Sequence, residues 1–333
     1  MVENVIHELT AEEAELYDRQ IRLWGLENQK KLRNSKILIA GLNGLGAEIA
    51  KNIILAGLKS VTFLDSAKVS KLDFASQFFI PTTEEGKNRA EACLLRAQAL
   101  NPMVELTADT GDLKDKDEEF FKKFNVVVIT EASIAEQTRI DNICREHNIK
   151  FFAADMWGMF GFSFADLQEH EFAEDIIKHK VISKPHEKVK TEPVTHTTKR
   201  SLKFPSLEST LSFDFKSQYF TKRMKKTGPA YIVMKILQKF REDENRDPLP
   251  AHRDEDIKKL LAIRDSMSDA NLIPDIYFEH VFGQISPSSA ILGGSVAQEV
   301  IKTVSQKDAP HYNYFFFDPQ TACGFIERID TAY

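Results

Sequence analysis

The sequence predicts an α/β fold built on a doubly wound, mostly parallel sheet, with an inserted and partly helical segment. Apolar runs of strand length alternate with stretches of helical periodicity through the first half of the chain. A glycine-rich loop joins the first of these runs to a helical stretch, as in a βαβ unit. With 333 residues, 42% of them hydrophobic, the chain can build a core of that size. The arrangement is Rossmann-like.

Charge and composition favour partners that are proteins or small molecules. The formal net charge of -6 argues against a nucleic-acid-binding surface spread over the molecule. No stretch approaches the ~18 apolar residues of a membrane span, so we expect neither nucleic acid nor membrane among the partners. The three cysteines lack C-x-x-C spacing and predict neither a disulfide framework nor a metal site, which fits a reducing, intracellular compartment.

The chain opens with a predicted helix. Thr10, with Glu13 three residues later, has the pattern of a capping box, so the helix should begin there. The polar pair Asn34 and Ser35 should end it. Its partly apolar side would consist of Leu16, Leu23, Trp24 and Leu32.

A strand, a loop and a helix follow in the order of a βαβ unit. Residues 36–40 have the composition of a buried strand, Gly57 suits the end of the next helix, and residues 61–65 form a second strand. The alternation then continues, with helices expected near residues 85–100, 115–124 and 134–147 and strands at 104–106, 126–129 and 150–153.

The alternation breaks near residue 175, and the prediction divides the chain there. Residues 1–177 should hold the N-terminal helix and the Rossmann-like part, residues 178–275 an insertion that is partly flexible and then helical, and residues 276–333 the return to the sheet. Early in the insertion only residues 201–204 resemble a strand. Later helices are expected from residue 228 to about 240, over 254–264 and from 286 to about 304, before strands at 312–317 and 325–329.

Small residues form a stripe along the last predicted helix. Ala290, Gly293, Gly294 and Ala297 follow the i, i+3, i+4, i+7 spacing of one helix face, which permits close approach of a neighbouring backbone. The neighbour is either another element of this chain or another chain.

The glycine loop contains Gly41, Gly44 and Gly46, between a strand and a helix. Such a loop lets backbone N–H groups approach phosphates at the positive end of the helix dipole. Asp65 follows the next strand, near the ~20-residue offset at which an acidic side chain meets a ribose. The spacing is G-x-x-G-x-G, which weakens a dinucleotide interpretation, and the glycines could also serve the turn alone.

Two segments in this order resemble the activating enzymes of ubiquitin-like proteins, in the ubiquitin-activating/MoeB/ThiF superfamily. Residues 17–25 read YDRQIRLWG, and residues 41–52 read GLNGLGAEIAKN. Further similarity lies at residues 89–92, 100–102, 158–172 and 293–318, which leaves out the segment near 178–225. The resemblance implies an adenylation fold. Within the family it is greatest to the smaller subunits of heterodimeric enzymes that activate SUMO.

Departures from the family pattern imply that this chain has no competent ATP site. Active members carry N-x-N-R-Q after the second strand, where this chain has Asp73, Ala75, Ser76 and Gln77. A phosphate-contacting lysine corresponds to Arg89, and a metal-associated aspartate to Ile134. The cations and the carboxylate that would hold Mg-ATP are therefore missing. We expect the glycine loop and Asp65 to be vestigial, with Mg-ATP bound by the partner subunit.

The resemblance also implies the partners and one catalytic contribution. The partners would be a large Uba-type catalytic subunit, SUMO and, indirectly, the SUMO-conjugating enzyme. Arg19 matches the family arginine that reaches the ATP phosphates of the other subunit, where a guanidinium stabilises negative charge during adenylation. The alternative for Arg19 is a surface salt bridge with Glu15 or Asp18, and Arg22 could play either part.

None of the cysteines is a convincing thioester nucleophile. Cys144 lies beside Arg145 and His147, which could lower its pKa, but it also falls on an apolar helix face. Cys93 lies in an apolar run, and Cys323 precedes Gly324 in an expected turn.

A basic run at residues 222–226 is either a nuclear localisation signal or solvated surface. Because enzymes of the SUMO pathway are typically nuclear, the resemblance implies a nuclear location.

Two other functions stay open. An NAD-dependent oxidoreductase is compatible with the βαβ unit and Asp65, although the glycine spacing and the 17–25 segment disfavour it. The second is the small subunit of an activator of another ubiquitin-like protein, such as NEDD8.

Overall fold

A computed structural model of the chain describes residues 9–181, 191–212, 228–267, 273–318 and 320–330. An eight-stranded sheet has the order β10-β9-β6-β5-β4-β1-β2-β3. Five strands are parallel, namely β1 (Lys36–Ala40), β2 (Ser60–Leu64), β3 (Glu105–Asp109), β4 (Val126–Ile129) and β5 (Lys150–Trp157). The antiparallel strands β6, β9 and β10, at Phe160–Asp166, Tyr314–Asp318 and Cys323–Glu327, complete it. The predicted α/β, mostly parallel fold is confirmed.

Helices cover both faces of this sheet, and each face has its own cluster of buried apolar side chains. None of the described helices combines the length and apolar character needed to cross a membrane. Their bounds are α1 Ala11–Leu16, α2 Asp18–Trp24, α3 Leu26–Arg33, α4 Gly44–Leu55, α5 Arg89–Gln98, α6 Glu118–Phe121, α7 Ile134–Glu146, α8 Leu207–Leu211, α9 Ala230–Glu244, α10 Arg253–Met267, α11 Ile276–Glu279 and α12 Ser286–Ser305.

The N-terminal helix is divided into three. The capping box of Thr10 and Glu13 is present, as predicted. The single helix expected to reach Asn34 instead breaks at Tyr17, whose side chain is buried, and at Gly25, whose φ of 92° is a conformation that favours glycine. The first break turns Tyr17 into the core, and Leu16 and Leu23 remain exposed.

A long antiparallel ribbon spans the expected start of the insertion, where only residues 201–204 were predicted as a strand. Strands β7 (Glu169–Val181) and β8 (Thr191–Lys203) pair along their whole length, so the boundary expected after residue 177 falls inside β7. The predicted strand at 201–204 coincides with the end of β8. The rest of the ribbon was not predicted, because it is held by backbone hydrogen bonds and is largely exposed, which leaves no apolar alternation in its sequence. The basic run at residues 222–226 lies outside the described residues.

The small-residue stripe on α12 mainly serves internal packing. A Cβ at Gly293 would lie 2.5 Å from the Cβ of Glu48 on α4, so only glycine allows the two helices to approach so closely. A Cβ at Gly294 would meet nothing within 4 Å. Gly293 therefore packs against α4 of the same chain, whereas Gly294 packs against no other described element of it.

A buried pair of carboxyl groups, Asp141 and Asp166, predicts a pH-dependent stability. Burial and the nearby Asp166 raise the pKa of Asp141 to about 8. The folded state thus binds more protons than the unfolded chain, and stability is lost as pH rises from about 4 towards 8. An amide mimics the protonated acid, because its oxygen can accept the Leu207 N–H that Asp141 now accepts at 2.7 Å.

We therefore expect Asp141→Asn to raise the unfolding temperature by about a few degrees at pH 8 and to change it little at pH 4. Thermal melts at both pH values test this. Asp141→Ala, which leaves the Leu207 N–H without its acceptor, should be less stable than the wild type at pH 4. Equal shifts of Asp141→Asn at both pH values would rule out a titrating Asp141.

Candidate functional site

The glycine loop lies at the carboxyl edge of the parallel strands, where the chain order reverses between β1 and β4 and ligands of such sheets commonly bind. Gly41 has a φ of 90°, and a Cβ there would lie 2.3 Å from the Oγ1 of Thr130. Asn43 caps α4 by accepting the N–H of Gly46 at 2.8 Å. The local sequence thus keeps the backbone of a phosphate-binding turn.

Asp65 is already engaged within the protein. One carboxylate oxygen accepts the N–H of Leu42 and the Nε–H of Arg89, both at 2.7 Å, and the other accepts the N–H of Ala67 at 2.8 Å. Asp65, which was expected to be vestigial, therefore connects the glycine loop to Arg89.

Arg89 is the centre of a buried ionic cluster. Its Nη1–H donates to Asp73 at 3.1 Å, and its Nη2–H donates to Glu131. Burial would lower the pKa of Arg89, but the charges of Glu131, Asp65 and Asp73 raise it above its ordinary value. Because three carboxylates use its guanidinium, Arg89 is not available to a phosphate in this arrangement.

A cavity of about 250 Å³ lies over this cluster and has an acidic lining. Its described lining residues include one cation, Arg89, and the four carboxylates of Asp65, Asp112, Glu131 and Glu136. A triphosphate brought here would meet an excess of negative charge at short range. The residues present therefore fit Mg-ATP poorly.

Side chains also cover the glycine loop. A Cβ at Gly44 would lie 2.1 Å from the Oγ of Ser76, and Gln284 accepts the N–H of Leu45 at 3.3 Å. Gln77, the retained family position, donates to the carbonyl of Leu42 at 2.6 Å. Ala75 is the last residue of a 3₁₀ turn, and its carbonyl accepts a hydrogen bond from Ser286 at 3.0 Å.

The acidic residue after β4 is Glu131. Ile134 was aligned with the family's metal-associated aspartate, but it is the first residue of α7 and is not among the residues that line the cavity. Glu131 lies three positions earlier with a φ of 60°. Its place at the cavity was not evident from the sequence, because that place depends on how the loop folds.

A second buried arginine, Arg241, was also missed. It donates two hydrogen bonds to Asp155, at 3.0 and 3.1 Å, and two to Asp247, at 2.7 and 3.0 Å. Asp155 in turn accepts the N–H of Glu131 at 2.8 Å, which links the two arginine clusters. Arg241 begins a charged run in the sequence, a pattern typical of a solvated helix end, and nothing local signals its burial.

Arg19 occupies an exposed position on a firmly anchored helix. The buried hydroxyl of Tyr17 accepts a hydrogen bond from Asn101 at 2.9 Å, and Gln20 donates to the carbonyl of Leu55 at 3.0 Å. Arg19 itself forms no hydrogen bond or ion pair with the described part of the chain, whereas Arg22 pairs with Asp18 at 3.0 Å. The salt bridge considered for Arg19 is thus formed by Arg22.

Exposed apolar side chains lie on α2, the helix that carries Arg19, and on α4 and α12. Leu23 is 76% exposed, Ile291 49% and Leu55 42%. Leu23, Leu55 and Gly294 line one side of a groove of about 530 Å³. An exposed groove with apolar lining residues is typical of a protein contact.

The cysteines are distributed as the sequence predicted, except at Cys323. Cys93 and Cys144 are buried, and burial raises the pKa of both thiols. The charges of Asp141 and Asp166 add to the effect at Cys144 and oppose thiolate formation. Cys323 is exposed and is the first residue of β10, not part of a turn.

Comparisons with known proteins agree with this fold. The model of the ThiF family matches residues 17–330. SUMO-activating enzyme subunit 1 of Xenopus tropicalis is 42% identical over 342 residues, which cover 98% of this chain and 99% of that protein. The mouse protein of that name is 44% identical, with 93% and 92% covered, and the human one 43%, with 96% of each covered.

Among solved structures, the crystal structure of SeMet PaaA aligns with a TM-score of 0.58 over 99% of this chain and 78% of that one. At 16% identity this likeness concerns the fold alone. A family model that spans most of the chain, with relatives this similar over nearly their full length, shows that the chain belongs to the ThiF family, together with SUMO-activating enzyme subunit 1 of these vertebrates.

Proposed function

We propose that this chain is the non-catalytic subunit of a heterodimeric SUMO-activating enzyme. It supports adenylation and thioester transfer of SUMO by a large Uba-type subunit. The observation that carries the proposal is a contrast within the chain. At the nucleotide position of this chain, the Arg89 guanidinium is hydrogen-bonded to three carboxylates. Arg19, in contrast, is exposed and has no partner among the described residues.

Mg-ATP belongs to the partner subunit in this proposal. The acidic lining of the 250 Å³ cavity and the side chains over Gly44 both disfavour a triphosphate in this chain. The name that the relatives carry, subunit 1, supports a second polypeptide that holds the competent site.

Arg19 acts in trans on that site. The C-terminal carboxylate of SUMO attacks the α-phosphate, and pyrophosphate leaves, while the Arg19 guanidinium stabilises negative charge on the phosphates. Its anchorage by Tyr17 and Gln20 on either side suits this role, because a preorganised donor loses little entropy on engaging the phosphate.

The partner docks on the surface formed by α2, α4 and α12. Exposed Leu23, one helical turn from Arg19, supplies apolar contact area together with exposed Leu55 and Ile291, so docking there would bring the arginine to the partner. The thioester forms on a cysteine of the large subunit, since Cys93 and Cys144 are buried thiols with raised pKa. Transfer to the SUMO-conjugating enzyme then follows, and we place these steps in the nucleus.

The proposal predicts no ATP–pyrophosphate exchange by the purified chain alone and SUMO-dependent exchange once the large subunit is added, because the chain lacks available cations at its own nucleotide position. Isotope exchange with and without the partner measures this. Exchange by the isolated chain clearly above background would contradict the proposal. So would a mixture that elutes as two separate monomers on size exclusion.

A further inference from the structure

Glu131 separates two cavities at the carboxyl edge of the sheet. It lines the acidic cavity of about 250 Å³, and it also lines a second cavity of about 120 Å³ beside Asn43 and Gly44 at the N-terminus of α4. No other described residue is common to the two linings. One side chain therefore stands between the space over Asp65 and the space at the phosphate-binding turn.

Glu131 is held there from both ends. Its carboxylate pairs with Arg89, and its backbone N–H donates to the buried carboxylate of Asp155 at 2.8 Å. Its φ of 60° lies in the left-handed region, which a glutamate adopts at a cost. The surrounding contacts thus keep the residue in a conformation that its own backbone disfavours.

Behind Glu131, one unsatisfied donor persists at the phosphate-binding turn. Asn43 is 3% exposed, and its Nδ2 group has no hydrogen-bond partner among the described residues, although Asn43 lines the smaller cavity. The N-terminus of the 12-residue helix α4 adds its positive dipole end. An unsatisfied buried donor beside a helix N-terminus favours an acceptor, and an anionic one most of all.

We infer that the Glu131 side chain is a plug that divides a latent ligand space at the glycine loop and excludes phosphate-bearing ligands from this chain. The carboxylate acts in two ways. It fills the passage between the two cavities, and it supplies negative charge while drawing on Arg89, the cation that a phosphate would otherwise meet. This inference rests on the proposed function only in assigning ATP to the partner subunit.

The decisive variant is Glu131→Gly in the full chain, with Mg-ATP as the probe in isothermal titration. Glycine removes the plug and suits the φ of 60°, so the variant should fold. We expect the wild type to show no binding up to ~1 mM Mg-ATP. The variant should bind saturably, with a Kd at least about tenfold below that concentration. Glu131→Ala provides a second variant that opens the passage.

Two further variants separate bulk from charge. Glu131→Gln removes the charge but keeps the bulk, so it should bind less tightly than Glu131→Gly. Glu136→Gln removes a carboxylate from the same lining without opening the passage, and its amide oxygen can still accept from Ser133, so it should behave like the wild type. Equal gains in Glu136→Gln and Glu131→Gly would overturn the inference and leave total charge as the cause.

A cooperatively melting Glu131→Gly or Glu131→Ala protein with no gain in binding would also overturn it. Saturable binding by the wild type would count against the proposed function instead. The role of Glu131 would then be decided by whether Glu131→Gly tightens that binding.

Discussion

Replacing Arg19 with alanine should slow adenylate formation by the reconstituted heterodimer on the order of 100-fold, because one preorganised charge-stabilising donor is lost. Folding and dimerisation should be preserved. Arg19 is exposed and has no partner in the described part of the chain, so its truncation removes no internal contact. Single-turnover adenylation measures the effect, with the complex confirmed by size exclusion.

Two variants sharpen this experiment. Arg22→Ala is the matched control, because Arg22 lies on the same helix, is exposed and pairs only across one turn with Asp18. Its effect on the rate should be small. Arg19→Lys should recover part of the rate, since it keeps the charge but loses the planar fork that engages phosphate oxygens. Wild-type adenylation rates for the Arg19→Ala complex would show that Arg19 has no role in the reaction and that this chain acts only as a scaffold.

Arg241→Ala should destabilise the protein by about 3–5 kcal/mol, the typical cost of removing one partner from a buried ion pair. The arginine lies between Asp155 and Asp247 and also donates to the carbonyl of Ala132 at 2.9 Å. Without it, Asp155 remains a buried carboxylate with no compensating cation. The midpoint of chemical unfolding should fall accordingly.

The loss should be larger at pH 8 than at pH 5. Burial raises the pKa of Asp155 to about 6 even with Arg241 beside it, and removing the cation raises that pKa further. At pH 5 the acid is then protonated in the folded state, so less uncompensated charge is buried. Lys239→Ala on the same helix is the control, since its pair with Asp243 is exposed to solvent and should contribute little to stability. A pH-independent loss would exclude Asp155 as its source.

The local sequence pattern was sufficient to predict the strands that are covered on both faces and the helix cap whose two partners lie within one turn. The strands that became β1, β2, β4 and β5 are continuous apolar runs because both faces of a parallel sheet are covered, and they were predicted within a few residues. The capping box at Thr10 was likewise readable, because both partners lie within one turn. The ribbon of β7 and β8 was not, since its exposed backbone pairing imposes no apolar period.

In the candidate site, too, some features follow from sequence spacing and others only from the folded chain. Gly41 and Asp65 were found because a turn and a strand end keep fixed sequence offsets. The partners of Asp65 were not, because the bonds of Arg89 reach residues 16 to 42 positions away, a separation that only the folded chain closes. The position of Glu131 at the cavity depends on a loop conformation that no sequence period encodes.

The sequence by itself determined the α/β fold, the glycine turn, the burial of Cys93 and Cys144 and the motif that contains Arg19. Each of these rests on spacing within one or two elements, where backbone geometry leaves few alternatives. Only the tertiary structure decided that Arg89 and Arg241 are buried among carboxylates and that Glu131 lies between two cavities. It also decided that Gly293 meets α4. The physical reason is that charge pairing and close packing depend on distances between residues far apart in the chain, which folding alone sets.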